Sequence, residues 1–337
     1  MQECHTGLCL SVYIITFVLG LPANILAFYT FCKKVRQKPT PIDILLLNLT
    51  ISDLLFLLFL PFKMQEAMDN MVWNMPYPLC PLSGFVFYMT IYNSTSFLTA
   101  VSVDRYLGVA FPIHYSVKRR PMYAVVASIF FWIFSFLHLS IVFITPFIGR
   151  EESQNSTEGH NAPGAEVCYE NFTEAQLNVL LPVRLELCVV LFCIPFLICS
   201  FCYINFIRIL SKLQHIDRRR RLRAIGMALG TLLVFALCFG PYNVSHIVGY
   251  ITWRSPDWRD KALLCSTFNA CLDPLIFYFS SSAVRETVSS VIQGVKNRLP
   301  GCTCCHVPWG SWGPNHKNKN PNPARDKEHT QEEANAN

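Results

Sequence analysis

The sequence predicts an all-α membrane protein, a bundle of seven transmembrane helices with a short amphipathic helix at the inner leaflet. Three observations predict it. First, 52% of the 337 residues are hydrophobic and 15% are charged, against roughly 25% charged in an average soluble protein. Second, the charges are missing from long blocks. Stretches free of Asp, Glu, Lys and Arg run from Thr6 to Cys32, Pro76 to Val103, Pro121 to Gly149, Leu187 to Ile207 and Ala224 to Trp253. Ile44 to Phe62 and Ala262 to Val284 are each broken by one aspartate, Asp53 and Asp273. Each block approaches or exceeds the ~20 residues that carry a helix across a ~30 Å hydrocarbon core. Third, the cations fall on alternate connections, as they do in chains whose short Lys- and Arg-rich loops stay on the cytoplasmic side.

Taken in order, the loop after the first span carries Lys33, Lys34, Arg36 and Lys38. The loop after the third carries Lys118, Arg119 and Arg120, and the loop after the fifth carries Arg208, Lys212, Arg218 to Arg221 and Arg223. The opposite connections are acidic or mixed, beginning with Glu66 and Asp69. The expected topology is therefore N-terminus outside and C-terminus inside. No cationic n-region and cleavage site precede the first span, so it is expected to act as its own insertion signal. The net charge of +6 reports orientation and not nucleic-acid binding. The resulting organisation is an outer N-terminus at 1–7, a seven-span domain at 8–280, an amphipathic membrane-surface helix at 281–299 and a polar, disordered inner tail at 300–337. The surface helix follows from Val284, Val288, Val291, Ile292 and Val295 at helical spacing.

Most of the fifteen cysteines sit within spans, where a thiol behaves as a small apolar group. Cys80 opens the third span at its outer end and Cys168 lies in the long outer loop before the fifth. A bridge between them would anchor that loop in an oxidising compartment. Cys4 and Cys9 either pair or stay free. Cys302, Cys304 and Cys305, just past the surface helix, are sited for palmitoylation; a zinc site would need a second ligand pair. Asn155 and Asn171 head Asn-x-Ser/Thr sequons in the outer loop and are candidate glycosylation sites, whereas Asn48, Asn93 and Asn243 fall inside spans.

A charge at bilayer depth costs at least ~2.5–3.5 kcal/mol, so each one within a span is a functional candidate. Asp53 and Asp273, with Ser94 and Asn269 nearby in the bundle, could share a sodium ion or a proton, or make separate contacts between helices. No other cofactor is implied. At the outer ends stand Tyr88 and Tyr92 in the third span, Arg184 in the fifth, Tyr242 and His246 in the sixth, and Arg259 at the seventh. Tyr242 and His246 are four apart and share a helix face. Two guanidiniums with a histidine and phenol hydroxyls suit a carboxylate, because Arg offers a planar fork and keeps its charge. The alternative for an Arg near a helix end is snorkelling to headgroups.

The spans also carry a series of motifs in order: Gly20 to Asn24, Leu49 to Asp53, Asp104-Arg105-Tyr106, Trp132, Pro195 with Tyr203, Cys238-Phe239-Gly240-Pro241 and Asp273-Pro274. In these the chain resembles the rhodopsin-like G-protein-coupled receptors from Gly20 to Leu299. More closely, Leu181 to Glu186, Cys238 to His246, Arg105 to Pro112 and Phe279 to Ser282 are similar to segments of the free fatty acid receptors. His246 and Cys168 to Thr173 favour the short-chain branch, nearest to type two. The resemblance implies that Arg184, Arg259 and His246 anchor a ligand carboxylate. It also implies that Tyr88, Tyr92, Tyr242 and His138 line a small cavity, with Glu170 in the lid. Asp104, Arg105 and Tyr106 would face the G protein. Implied partners are short-chain carboxylates, heterotrimeric G proteins of the inhibitory and phospholipase-activating types, arrestin and membrane lipids, with the plasma membrane as location.

The chain departs from the wider receptor pattern at Phe239, where Trp is usual, at Asp273, where Asn is usual, and at Phe277, where Tyr is usual. Where many receptors place an acid at the inner end of the sixth span to hold Arg105, this chain has Arg221, so appreciable ligand-free activity is expected. An anion transporter is the competing class. It would show inverted repeats or paired broken spans, which the chain lacks. A receptor of the same fold for longer fatty acids or a peptide is the other alternative, and the short N-terminus and the two-arginine pocket argue against a peptide. No nucleophile, metal or phosphate-loop motif supports an enzyme.

Overall fold

A computed structural model describes residues 6–118, 120–148, 168, 172–213 and 217–298. Among the described residues six helical spans are long and apolar enough to cross a bilayer: Thr6–Gln37, Pro41–Met68, Pro121–Phe147, Glu174–Lys212, Arg218–Thr252 and Arg259–Ser280. The third helix, Leu79–Ala110, has the length at 32 residues but is too polar to qualify by composition. Its polar side chains face the interior of the bundle and not lipid. Thr90, Tyr92, Asn93, Ser94 and Thr95 are all buried, and Ser52 of the second span donates to the Thr90 carbonyl at 3.3 Å. Lipid-compatible surface lies elsewhere, on exposed side chains such as Val18, Ile133, Leu197 and Leu237.

The prolines in the spans remove backbone donors and so orphan the carbonyl four residues earlier. Side chains of other spans take up two of these carbonyls. Pro195 frees the Leu191 carbonyl, which accepts from Thr95 Oγ1 at 2.8 Å, and Thr99 Oγ1 donates to the Pro195 carbonyl at 3.2 Å. Pro274 frees the Ala270 carbonyl, which accepts from Asn24 Nδ2 at 2.8 Å. The approach is close enough that a Cβ on Gly20 would stand 3.3 Å from that same carbonyl oxygen. The fifth and sixth spans also loosen into π turns at Val189–Cys193 and Val234–Phe239, just ahead of Pro195 and Pro241. Ser266 of the seventh span donates to the Cys238 carbonyl inside the second of these turns. Such π turns concentrate at functional positions.

The second helix continues past the charge-free block to Met68, so Glu66 is not a loop residue. It is buried in the helix and paired with Lys63 at 2.7 Å. A carboxylate can stay helical at this depth because its counter-ion is one turn away on the same face. The Cys80–Cys168 disulfide ties the outer loop to the head of the third span. Cys9 is also disulfide-bonded, with its partner outside the described residues. Residues 1–291 form one compact unit and 292–337 another. The final helix, Ser282–Arg298, supplies Val284 and Val288 to the core of the first unit. Of the second unit, 292–298 are described, and they are helical. The expected modification sites Asn155, Asn171, Cys302, Cys304 and Cys305 lie outside the described residues.

Candidate functional site

Arg259 is the first residue of the seventh span and is 5% exposed. The turn Pro256 to Trp258 delivers it, with the Arg259 N–H donating to the Pro256 carbonyl. Its Nη2 donates to Tyr88 Oη and to Tyr242 Oη, each at 3.2 Å. The two phenol rings are near parallel, with centroids 6.0 Å apart, and the guanidinium carbon lies 5.5 Å from the Tyr242 centroid. The third, sixth and seventh spans thus meet on one cation. Asp260 accepts from Nη1 at 3.4 Å, with its own side chain 43% exposed. Nε of Arg259 is buried with no hydrogen-bond partner among the described residues.

The second half of the cluster centres on His246. His246 Nε2 is 3.3 Å from Tyr92 Oη, and its ring meets the Tyr242 ring edge-on at 4.5 Å. Both His246 and Tyr92 are buried. Arg184 and Arg259 both lie within electrostatic reach of the His246 ring. Arg184 is 5% exposed and its guanidinium carbon stands 5.0 Å from the Phe172 ring, a cation–π arrangement. Two buried guanidiniums around a buried histidine form a strongly electropositive, poorly hydrated site. Such a site favours an anion able to accept several charge-assisted hydrogen bonds.

The fold therefore brings together Arg184, Arg259, His246, Tyr242, Tyr88 and Tyr92. His138 joins a different pair: its Nε2 is 3.3 Å from Glu186 Oε1, and its Nδ1 is 2.8 Å from the Phe134 carbonyl. Glu170 is outside the described residues. Two contributors escape a reading of the sequence. Phe172 is an ordinary loop aromatic whose place follows from the Cys168 tether four residues earlier. The Lys63–Glu66 pair borders a cavity of about 50 Å³ that Arg259 and Tyr88 also line; the signal for it was the three-residue spacing. A larger hollow, about 650 Å³, lies among the third, fourth and fifth spans beside Thr99, Leu107, Phe130 and Ile194, and neither Arg184 nor Arg259 lines it.

Residues 23–277 match the family described as 7 transmembrane receptor (rhodopsin family). The chain is 50% identical over 299 residues to free fatty acid receptor 3 of Mus musculus, covering 89% of each chain. It is 50% identical over 296 residues to free fatty acid receptor 2 of Rattus norvegicus, covering 88% of each. The chain belongs to the free fatty acid receptor family. It is accordingly a multi-pass membrane receptor of the rhodopsin class and not an enzyme. Identity does not separate types two and three, whereas free fatty acid receptor 1 of Macaca fascicularis is 35% identical over 273 residues, 80% of this chain and 90% of that one.

At the inner face of this family member, Tyr115 of the short helix Pro112–Lys118 donates to the Asp104 carboxylate. Arg105 Nη2 donates to the Ser280 carbonyl at 3.0 Å, at the carboxyl end of the seventh span. Tyr106 packs edge-on against Phe111 and Phe201. Arg221 lies in the first turn of the sixth span, and Asp217, the acid nearest to it, caps that helix through the Arg219 N–H at 3.4 Å. In the middle of the bundle Asn269 donates to Ser94 Oγ at 3.3 Å. Asp53 Oδ2 and both carboxylate oxygens of Asp273 are buried without hydrogen-bond partners among the described residues.

Proposed function

We propose that this receptor is activated by short-chain carboxylates, acetate, propionate and butyrate, and signals through heterotrimeric G proteins of the inhibitory and phospholipase-activating types. The observation that carries the reading is the pair of buried guanidiniums, Arg184 and Arg259, placed about His246 with Tyr88, Tyr92 and Tyr242. The names of the relatives, free fatty acid receptors 2 and 3, point the same way. Acetate has about four heavy atoms, and at a ceiling of about 1.5 kcal/mol per atom its binding energy stays below roughly 6 kcal/mol. That corresponds to a dissociation constant of tens of micromolar at best, so the receptor works at micromolar to millimolar carboxylate.

The mechanism is a population shift. A carboxylate between Arg184 and Arg259 offsets their mutual repulsion and favours a state with the fifth and seventh spans drawn together. Tyr242 and His246 carry that change into the sixth span, whose π turn at Val234–Phe239 lies directly below. Movement of the inner end of that span exposes Arg105 and the basic inner loops to the G protein, and afterwards to arrestin. Glu170 would close the carboxylate site from the loop, and His138 acts through its pairing with Glu186. The receptor sits in the plasma membrane, N-terminus outside, glycosylated at Asn155 and Asn171 and palmitoylated at Cys302, Cys304 and Cys305. Asp53 and Asp273, with Ser94 and Asn269, fit a sodium ion or a shared proton, because Asp53 Oδ2 and both Asp273 carboxylate oxygens are buried with no donor among the described residues. The ion would offset one of the two negative charges while bound.

A dose series of C2 to C8 carboxylates against G-protein activation tests the reading. The expected result is a response strongest below C6. A flat series, or uptake of labelled acetate without G-protein activation, overturns it.

A further inference from the structure

We propose that Cys188 and Cys193 form a reversible disulfide within the fifth span, an oxidative modification site at the floor of the ligand cluster. Their sulfurs are 3.9 Å apart and both thiols are free. In a continuous α-helix, residues five apart are about 140° apart around the axis and cannot meet. Here Val189–Cys193 is a π turn, closed by the Ile194 N–H on the Val189 carbonyl, and a turn closing on the fifth residue stacks Cys193 over Cys188. Bonding requires the sulfurs to close from 3.9 Å to about 2.05 Å.

The two thiols differ in access, which gives each a role. Cys193 is half-buried and Cys188 is fully enclosed. A small neutral two-electron oxidant, hydrogen peroxide, reaches Cys193 first. The Cys193 sulfur attacks a peroxide oxygen, the O–O bond breaks, water leaves and a sulfenic acid forms. Cys188 sulfur then displaces the hydroxyl as a second water, and the S–S bond forms. Over both steps two thiols lose two hydrogens and two electrons, and peroxide becomes two waters. A dithiol reductant reverses it by exchange.

The bond also removes a link between spans. The Cys188 thiol donates to the Asn243 carbonyl at 3.4 Å, and Asn243 follows Tyr242 in the sixth span. Cys188 is one turn below Arg184 on the same face of the fifth. Oxidation therefore breaks a contact between the fifth and sixth spans and cross-links the π turn beneath the arginine. This effect on ligand response rests on the carboxylate reading; the bond itself does not.

The test uses full-length protein in native membranes, treated with hydrogen peroxide, alkylated and digested with trypsin. The expected result is a peptide 185–208 lighter by two hydrogens, with fragmentation placing the bond between Cys188 and Cys193, and restored by dithiothreitol. In Cys193→Ser the bond is absent and Cys188 remains alkylatable. Both thiols still alkylated in wild type after exposure that oxidises glutathione in the same sample overturns the proposal. A bond from either thiol to Cys199 or Cys202 does the same. On the bonded protein the half-maximal propionate concentration shifts severalfold, and it does not shift in Cys193→Ser; an equal response before and after bonding overturns the coupling. A reduced wild type silent to every carboxylate marks failure of the ligand reading alone, with the bond still decided by mass.

Discussion

The two ends of the bundle each hold an arginine between helices and satisfy it differently. At the outer end Arg259 is met by side-chain hydroxyls, Tyr88 and Tyr242. At the inner end Arg105 reaches a backbone carbonyl, Ser280, at the close of the seventh span. A phenol is a weak, exchangeable partner, which a carboxylate can displace or join without moving the backbone. A main-chain carbonyl departs only if its helix does. The outer arginine is therefore set to respond to chemistry and the inner one to geometry, which is the division of labour a receptor needs.

Removing the outer cation should produce the largest effect. Arg259→Ala or Arg184→Ala should abolish the propionate response, a loss of about 2–5 kcal/mol typical of truncating a buried charged partner, while surface staining stays at the wild-type level. A retained response would break the distinction drawn here. Next, Asn24→Ala leaves the Ala270 carbonyl without its donor and should cost about 1–3 kcal/mol. A fall of several degrees in the thermal midpoint of detergent-solubilised protein is the readout, with ligand selectivity unchanged. Tyr242→Phe keeps the ring and removes one charged hydrogen bond, about 1.5 kcal/mol; the half-maximal propionate concentration should rise roughly tenfold. The smallest effect belongs to the inner end. Arg221→Glu supplies the acid that the sixth span lacks and should lower ligand-free second-messenger output by up to a few-fold. A wild-type basal level equal to that of mock-transfected cells would remove the ground for the comparison.

The architecture was legible because absence of charge is a better marker of a span than apolarity. The third helix shows why. Its Tyr, Thr, Asn and Ser residues lower its hydropathy below that of a lipid-facing helix, yet it carries no charge from Pro76 to Val103, since a neutral polar group can be satisfied by an adjacent helix and an isolated charge cannot. The same rule misled at Glu66. The charge-free block stops before Lys63 and so puts Glu66 in the outer loop, whereas the Lys63–Glu66 pair lets the helix continue to Met68. In the site, the arginines, histidine and tyrosines stood out as polar groups within apolar blocks. Phe172 did not, because an aromatic in a loop carries no signal until the disulfide beside it fixes where the loop runs. Nor did the pairing of His138 with Glu186, which depends on how the fourth and fifth spans rotate about their own axes. The π turns were invisible for a related reason. Pro195 and Pro241 mark where a helix must yield, but the direction in which it yields is decided by Thr95 and Ser266 on other spans.

The composition of the third helix also bears on how the chain is made. A segment threaded through the translocon partitions into lipid according to its own side chains, and one containing Tyr88, Thr90, Tyr92, Asn93, Ser94, Thr95 and Ser96 in succession has little drive to leave the channel alone. Its polar groups find partners on the second span, already synthesised, and on the fifth, which emerges later. The groups that weaken this helix's own drive into lipid are the ones that join it to its neighbours in the finished bundle, as Thr95 and Thr99 do to the fifth span.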